Sequence, residues 1–256
     1  MEWFSAITTV LLTLMTSLGV FKYLVEPRLR DDLSRLKYAT PLWKVCSELL
    51  DQINEIQDSL RKNDKDIRDA LKKIPNNDFG GRIDWFTKTG YYTTITAYKI
   101  ASVFAWSNIY QHELLLSPYS KNRRFFEQLY QKSENLKIAF SDDTIFWRYY
   151  CDSLGDKIVE EKSNLFFPIS FAVFCERYFS DHDFRLFFEQ LHMFLWHVAD
   201  GKYLSKLDNI ELALRDMQKM LKKEKLLKGL EVKRSHTRIA DQKPLEERME
   251  KAKLAT

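Results

Sequence analysis

Glycine and proline are scarce in this chain, seven and six among 256 residues, and no run alternates apolar and polar residues at period two. That scarcity excludes collagen-like and low-complexity classes and argues against a fold of many tight turns and short strands. Cysteine is scarcer still. Cys46, Cys151 and Cys175 are odd in number, widely spaced and set inside apolar helical patterns, which suits reduced core thiols rather than a disulfide framework and is the wrong spacing for zinc. Motifs that carry chemistry are missing as well. Gly80 and Gly81 lack the repeat spacing and the Lys-Ser/Thr ending of a phosphate loop, and no G-x-S-x-G elbow occurs. A net charge of +4 is too small to indicate a polyanionic partner for the whole chain.

Charge is also absent, locally, from Trp3 to Phe21, and within the next sixteen residues come Lys22, Arg28, Arg30, Arg35 and Lys37. A membrane-spanning helix needs roughly 20 mainly apolar residues, and Trp3 to Val25 supplies them, with Lys22 placed where its ammonium can snorkel to the headgroups. The expected anchor, residues 1–27, buries Trp3, Phe4, Ile7, Val10, Leu11, Leu12, Leu14, Leu18, Val20 and Phe21. A cleavable signal would have a basic start and a small-residue cleavage site; this chain has Glu2 and no such site. The basic flank lies downstream of the span, so the positive-inside bias leaves the amino end outside and the rest in the cytosol. The expected location is the inner (plasma) membrane, single-pass.

With 45% hydrophobic and 14% aromatic content, the remainder can bury a sizeable core, and its patterns are helical. The expected fold is all-α: an N-terminal transmembrane helix, a juxtamembrane linker over 28–40, a bundle of about six to seven helices over 41–227, and a basic, mostly disordered tail over 228–256. Thr40 is placed to cap the first soluble helix with Pro41 in its first turn. Leu42, Val45, Leu49, Ile53, Ile56 and Leu60 then form one stripe. Arg61 to Lys73 extends that helix or forms a short second one, before Pro75, Asn76, Asn77, Gly80 and Gly81 break it.

Tyr91 to Tyr110 carries a single formal charge, Lys99, and so imitates a second span. Its threonines, serines and Asn108, together with a lysine worth roughly 2.5 to 3.5 kcal/mol against insertion, favour a central soluble helix wrapped by its neighbours. Further helices are expected over about 122–140 and 143–161. Phe167, Phe171, Phe174 and Tyr178 mark one aromatic stripe, and Phe184, Phe187, Phe188, Leu191, Phe194, Leu195 and Val198 another. Asp181 or Asp183 caps the second, and Gly201 lies past its end. These rings are expected in the core. Leu207, Ile210, Leu214, Met217 and Leu221 alternate steps of three and four, a seam for the last helix or for a dimer.

Candidate binding residues are few. Lys222, Lys223, Lys225, Lys228, Lys233 and Arg234 make a basic segment that could meet the anionic cytosolic leaflet, at about 1 kcal/mol per residue near the surface, or nucleic acid. Glu189 and His192 form one E-x-x-H pair, whereas a di-iron bundle needs two such pairs and two further glutamates. His192 and His197 stand five apart, about 140° around a helix, which is poor for shared ligation. No cofactor or metal is expected.

Two resemblances carry further expectations. Arg177 to His182 and Arg185 to His192 resemble the motif of HEPN-type ribonucleases, an Arg followed after four to six residues by a His, although Tyr178 and Leu186 stand where that motif has a polar residue. The resemblance implies an Arg holding phosphate and a His in acid/base cleavage, with Arg185 and His192 the better pair for a toxin or defence effector. Pro41-Leu42, Trp106 followed at seven residues by Glu113, and the Phe146 to Gly155 segment resemble an uncharacterised bacterial family of single-pass proteins with a helical cytosolic domain. That family favours an acidic residue where this chain has Asn108. The leading expectation is a membrane-tethered interaction or scaffold module with an unknown protein partner. The alternatives are the ribonuclease and an oligomeric structural membrane protein, self-associating through Ser5, Ala6, Thr9, Thr13, Ser17 and Gly19.

Overall fold

In the computed structural model, which describes residues 26–73, 90–116, 123–141, 147–163 and 165–223, the described chain is 83% helical, with nine helices and one two-stranded hairpin. In chain order they are α1 (Glu26–Arg61), α2 (Lys65–Leu71), α3 (Tyr91–Leu116), α4 (Arg123–Phe140), α5 (Arg148–Lys157), β1 (Val159–Lys162), β2 (Leu165–Pro168), α6 (Phe171–Ser180), α7 (His182–Phe187), α8 (Glu189–Ala199) and α9 (Leu204–Lys223). The all-α bundle expected from the periodicity is present. The anchor residues from Trp3 to Phe21 lie outside the described residues. Among those described, no helix is long and apolar enough to cross a membrane.

The helix expected to begin at Thr40 instead starts at Glu26 and runs 36 residues, with Pro41 in its interior. Residues 28–40 are therefore helix, not a linker, and Thr40 is no cap. The upstream sequence explains the correction. Residues 28–37 are rich in leucine, arginine and lysine, all good helix formers. A proline inside a helix costs about 3 kcal/mol. Against it stand Tyr38, Ala39 and Leu42, all buried, each a contribution of the kind that burial makes at roughly 25 cal/mol per Å². Tyr38 also stacks on Tyr110 of α3, ring centroids 5.9 Å apart.

Helix α3 is the axis of the bundle, touching α1, α2, α4, α5, α6, α8 and β2. Its small residues let neighbours approach from all sides: Thr93, Thr94, Thr96, Ala97, Ala101, Ser102, Ala105 and Ser107 are all buried. Some of these hydroxyls find partners, Thr96 Oγ1 donating to the Tyr92 carbonyl at 2.7 Å and Ser107 pairing with Ser133 of α4 at 2.8 Å. The closest approach is to α5. A Cβ at Gly155 would meet Ala105 N and Phe104 C of α3 at 2.8 Å each. Beside that glycine Asn108 Nδ2 donates to the Asp152 carbonyl at 3.2 Å and to Asp156 Oδ1 at 3.0 Å. An acidic residue at 108 would place a carboxylate against these acceptors, so the asparagine fits its neighbour.

Lys137 and Glu134 of α4, both buried, pair at 2.8 Å, and α5 adds Asp152 to the lysine and Arg148 to the glutamate. Charges taken out of water need such partners. Helix α9 closes the bundle against α1 and α4, burying Leu207, Ile210, Leu214, Met217 and Leu221. Its seam is thus used within the chain, and Cys46 of α1 meets Met217 there, sulfur to sulfur, at 3.6 Å.

Two further expectations are corrected. The helix placed over 143–161 is described as α5 from Arg148, and Val159 to Lys162 turn into a strand paired antiparallel with Leu165 to Pro168. Four-residue strands are too short to show alternation, and Phe167 belongs to β2, not to the helical stripe of Phe171, Phe174 and Tyr178. The stripe from Phe184 to Val198 is two helices, broken at Phe188, whose N–H bonds back three residues to Arg185 at 3.0 Å. Asp181 caps α7, accepting from Phe184 N at 3.0 Å, and Gly201 takes the left-handed φ of 79° after α8, both as expected.

Candidate functional site

Antiparallel contact between α1 and α3 leaves a cavity of about 410 Å³ open on one side. From α1 it is lined by Thr40, Pro41, Lys44, Val45 and Glu48, and from α3 by Tyr98, Lys99, Ser102 and Trp106. Lys99, Ser102 and Trp106 stand at i, i+3 and i+7, one face of α3. Tyr98 is held in place by its hydroxyl, which donates to the Ile169 carbonyl at 2.9 Å, and by ring contacts to Phe171 and Phe174 at 5.3 and 5.4 Å. The Trp106 indole is braced edge-on by Phe167 of the hairpin, 6.4 Å away. The cavity thus has a fixed aromatic wall.

Its polar groups are unevenly satisfied. Lys44 and Glu48 pair with each other at 3.7 Å on the rim. The Lys99 ammonium donates to Gln52 Oε1 at 2.7 Å. Burial lowers its pKa from the ordinary lysine value, while Glu48, Glu55 and Asp51 push the other way. Glu55 in turn is raised by burial, with Tyr92 and Lys99 opposing. Two hydroxyls find no hydrogen bond: Thr40 Oγ1, and Ser102 Oγ on a residue 3% exposed. Burial raises the pKa of the Tyr98 phenol, and Ser102, within hydrogen-bonding reach of it, pushes the other way. A hydroxyl left buried and unmet costs about 1 to 3 kcal/mol.

A second polar cluster lies under α6 and α8. Tyr178 OH and His192 Nε2 are hydrogen-bonded, both residues buried, while His192 Nδ1 has no partner. Burial alone lowers the imidazole pKa to about 4 and raises the Tyr178 phenol well above its usual range, against Arg185 which lowers it. His192 is therefore neutral at pH 7. Arg185 sits on α7, half-buried, its Nη2 3.0 Å from His182 Nδ1. The imidazole is 1% exposed, and Arg185 lies within electrostatic reach of its partner Tyr178. The same burial bears on pH. With an unfolded pKa near 6.5 and a folded one near 4, protons bind the unfolded chain more readily between these values. Stability is thus full above about pH 6.5 and falls on acidification, by about 3 kcal/mol once pH 4 is reached. Urea titrations between pH 4 and 7 should show that loss, and His192→Gln should flatten it; an unchanged slope in the variant would rule the imidazole out.

Other sequence candidates fare differently. Lys222 is exposed at the end of α9 and Lys223 is that helix's last residue, while Lys225, Lys228, Lys233 and Arg234 lie outside the described residues. Among the described residues no cluster of His, Cys, Asp or Glu could hold a metal ion. All three cysteines are free, with burial pushing the Cys175 thiol up to about 12 and raising Cys46 and Cys151 also. Sequence reading passed over Thr40, Ser102 and Trp106 as cavity residues. The i, i+3, i+7 face from Lys99 was a usable signal, but the partner face on α1 was hidden by placing a helix start at Thr40. No protein-family model, curated protein or solved structure matches this chain.

Proposed function

We propose that the chain is a single-pass, membrane-tethered helical module that recruits or senses a protein partner at the inner face of a bacterial membrane, its amino end outside. The observation that carries this reading is the course of α1. It begins at Glu26, directly after the apolar run from Trp3 to Val25, and continues unbroken into the core, where Leu42, Cys46, Leu49, Ile53 and Ile56 are fully buried. A helix that leads from the end of that run into the core would pass on the position of a tether; a loop would not. The basic residues from Lys222 to Arg234 add a contact for anionic lipid or nucleic acid near that surface.

The test is removal of residues 1–25. The full chain is expected to stay in the membrane pellet after alkaline carbonate extraction, and the shortened chain to move to the supernatant with its helical circular dichroism intact. Full-length protein found in the supernatant would end the tethering reading.

A further inference from the structure

The hairpin leaves one backbone edge open. Ile169 N–H donates to the Ile158 carbonyl at 2.7 Å, and along an antiparallel ladder residues that bond across it alternate with residues whose N–H and C=O point outward. In the register that sets Val159 opposite Pro168 and Lys162 opposite Leu165, Glu160 and Lys162 of β1 face inward, and Val159 and Glu161 face out. The outward positions of β2 are Phe166 and Pro168, of which the proline has no N–H, and that strand lies against α3. The outer strand, β1, thus presents two complete N–H and C=O sets, and among the described residues no hydrogen bond reaches them.

An exposed edge is a template for another strand, and its side chains say which. Glu160 is paired with Arg177 of α6 and with Lys162, whereas Glu161 is exposed and has no ion pair among the described residues. Half-buried Val159, Phe166 and Pro168 share the face of Glu161. A strand laid antiparallel on β1, the more stable pairing, would set one residue opposite Glu161 and, two residues later, another opposite Val159, both on this face. A second copy does not fit. Contacts of Tyr98 with Ile169, Trp106 with Phe167 and His112 with Phe166 lay the hairpin along α3, which runs against α1. A twofold pairing β1 with itself would turn the two α1 helices end for end, while copies tethered in one membrane point the same way. We propose that β1 captures an extended segment of a protein partner with the pattern Lys/Arg-x-Val/Ile, added as a third strand. This capture rests on the reading of the chain as a recruiting module, and peptide binding and carbonate extraction can each fail alone.

Fluorescence anisotropy on the full-length protein in nanodiscs tests it with three labelled peptides. Thr-Arg-Thr-Val-Thr should bind, and Thr-Glu-Thr-Val-Thr should bind several-fold more weakly. The first peptide N-methylated at its arginine and valine, unable to donate to the Glu161 and Val159 carbonyls, should not bind measurably. Glu161→Lys should reverse the preference between the two charged peptides. Glu161→Pro, which removes an outward N–H and leaves the inner ladder its donors, should weaken binding of both. Amide hydrogen exchange locates the contact: Val159 and Glu161 should exchange quickly in the protein alone and slow by about tenfold or more with the arginine peptide. Protection of these amides before any peptide is added would mean that the chain's own residues or a second copy hold the edge. That result, absence of binding by the arginine peptide, binding by its N-methylated form, or an unreversed preference in Glu161→Lys overturns the proposal.

Discussion

Gly155→Val is expected to be the most damaging single substitution in this protein, lowering stability on the order of 4 kcal/mol or more, a range that few point changes reach. The reason lies across the interface. Alanine at Gly155 would already put its Cβ 2.8 Å from the backbone of α3 at Phe104 and Ala105, and those atoms cannot swing aside as a flexible side chain would. Alanine gains about 1 kcal/mol in helix propensity, but overpacking a rigid contact costs about 1 to 3 kcal/mol. Separating the helices would also stretch both bonds from Asn108 to α5. Gly155→Ala should therefore still lose about 2 kcal/mol, a drop in melting temperature of roughly 4 to 8 °C. Urea denaturation of both variants gives the ordering; a Gly155→Ala protein as stable as the parent would mean that α3 and α5 are not in this contact.

The second large effect is expected at Phe174. Its ring is fully buried and meets Tyr98, Tyr178, Phe184 and Phe188 at centroid separations of 5.4, 5.8, 5.4 and 5.0 Å. It joins α6, α7 and α3 through side chains alone. Phe174→Ala removes both the buried surface and the centre around which four rings pack, and such truncations cost about 3 to 5 kcal/mol. Phe174→Leu should recover part of that, since it refills volume without restoring the edge-to-face contacts, worth about 0.5 to 1.5 kcal/mol each. Thermal melts of the two variants separate cavity from ring geometry. Equal destabilisation by alanine and leucine would show that volume is irrelevant here and refute the packing account.

Much of this architecture is legible in the sequence because burial imposes a period. The stripe from Leu42 to Leu60 is core almost throughout, the seam from Leu207 to Leu221 is buried residue for residue, and Tyr91 to Tyr110 is a central helix whose polar residues are small enough to be enclosed. The features that escaped are those in which a distant partner decides. Pro41 reads locally as a helix start, and it is the burial of Tyr38 against Tyr110 that carries the helix through it. The break at Phe188 leaves no mark because α7 and α8 keep the same apolar period across one tightened turn. The hairpin is two four-residue strands, shorter than any periodic signal. The burial of His192 went unread, and the pairing of its Nε2 with Tyr178 depends on how α6 folds back. The cavity had half its signal on α3 and the other half behind the misplaced start of α1.

Because α1 has no joint between Glu26 and Arg61, its residues also count angle. Each residue of an α-helix turns the chain by about 100° and advances it by 1.5 Å. One residue inserted near Asp32 would rotate everything from Tyr38 onward by about 100° relative to Glu26, whereas four would bring it back to within about 40° of its starting azimuth. The direction in which the α1–α3 cavity faces relative to Glu26 is thus a matter of phase, written in the number of residues between Glu26 and Thr40 rather than in any one contact.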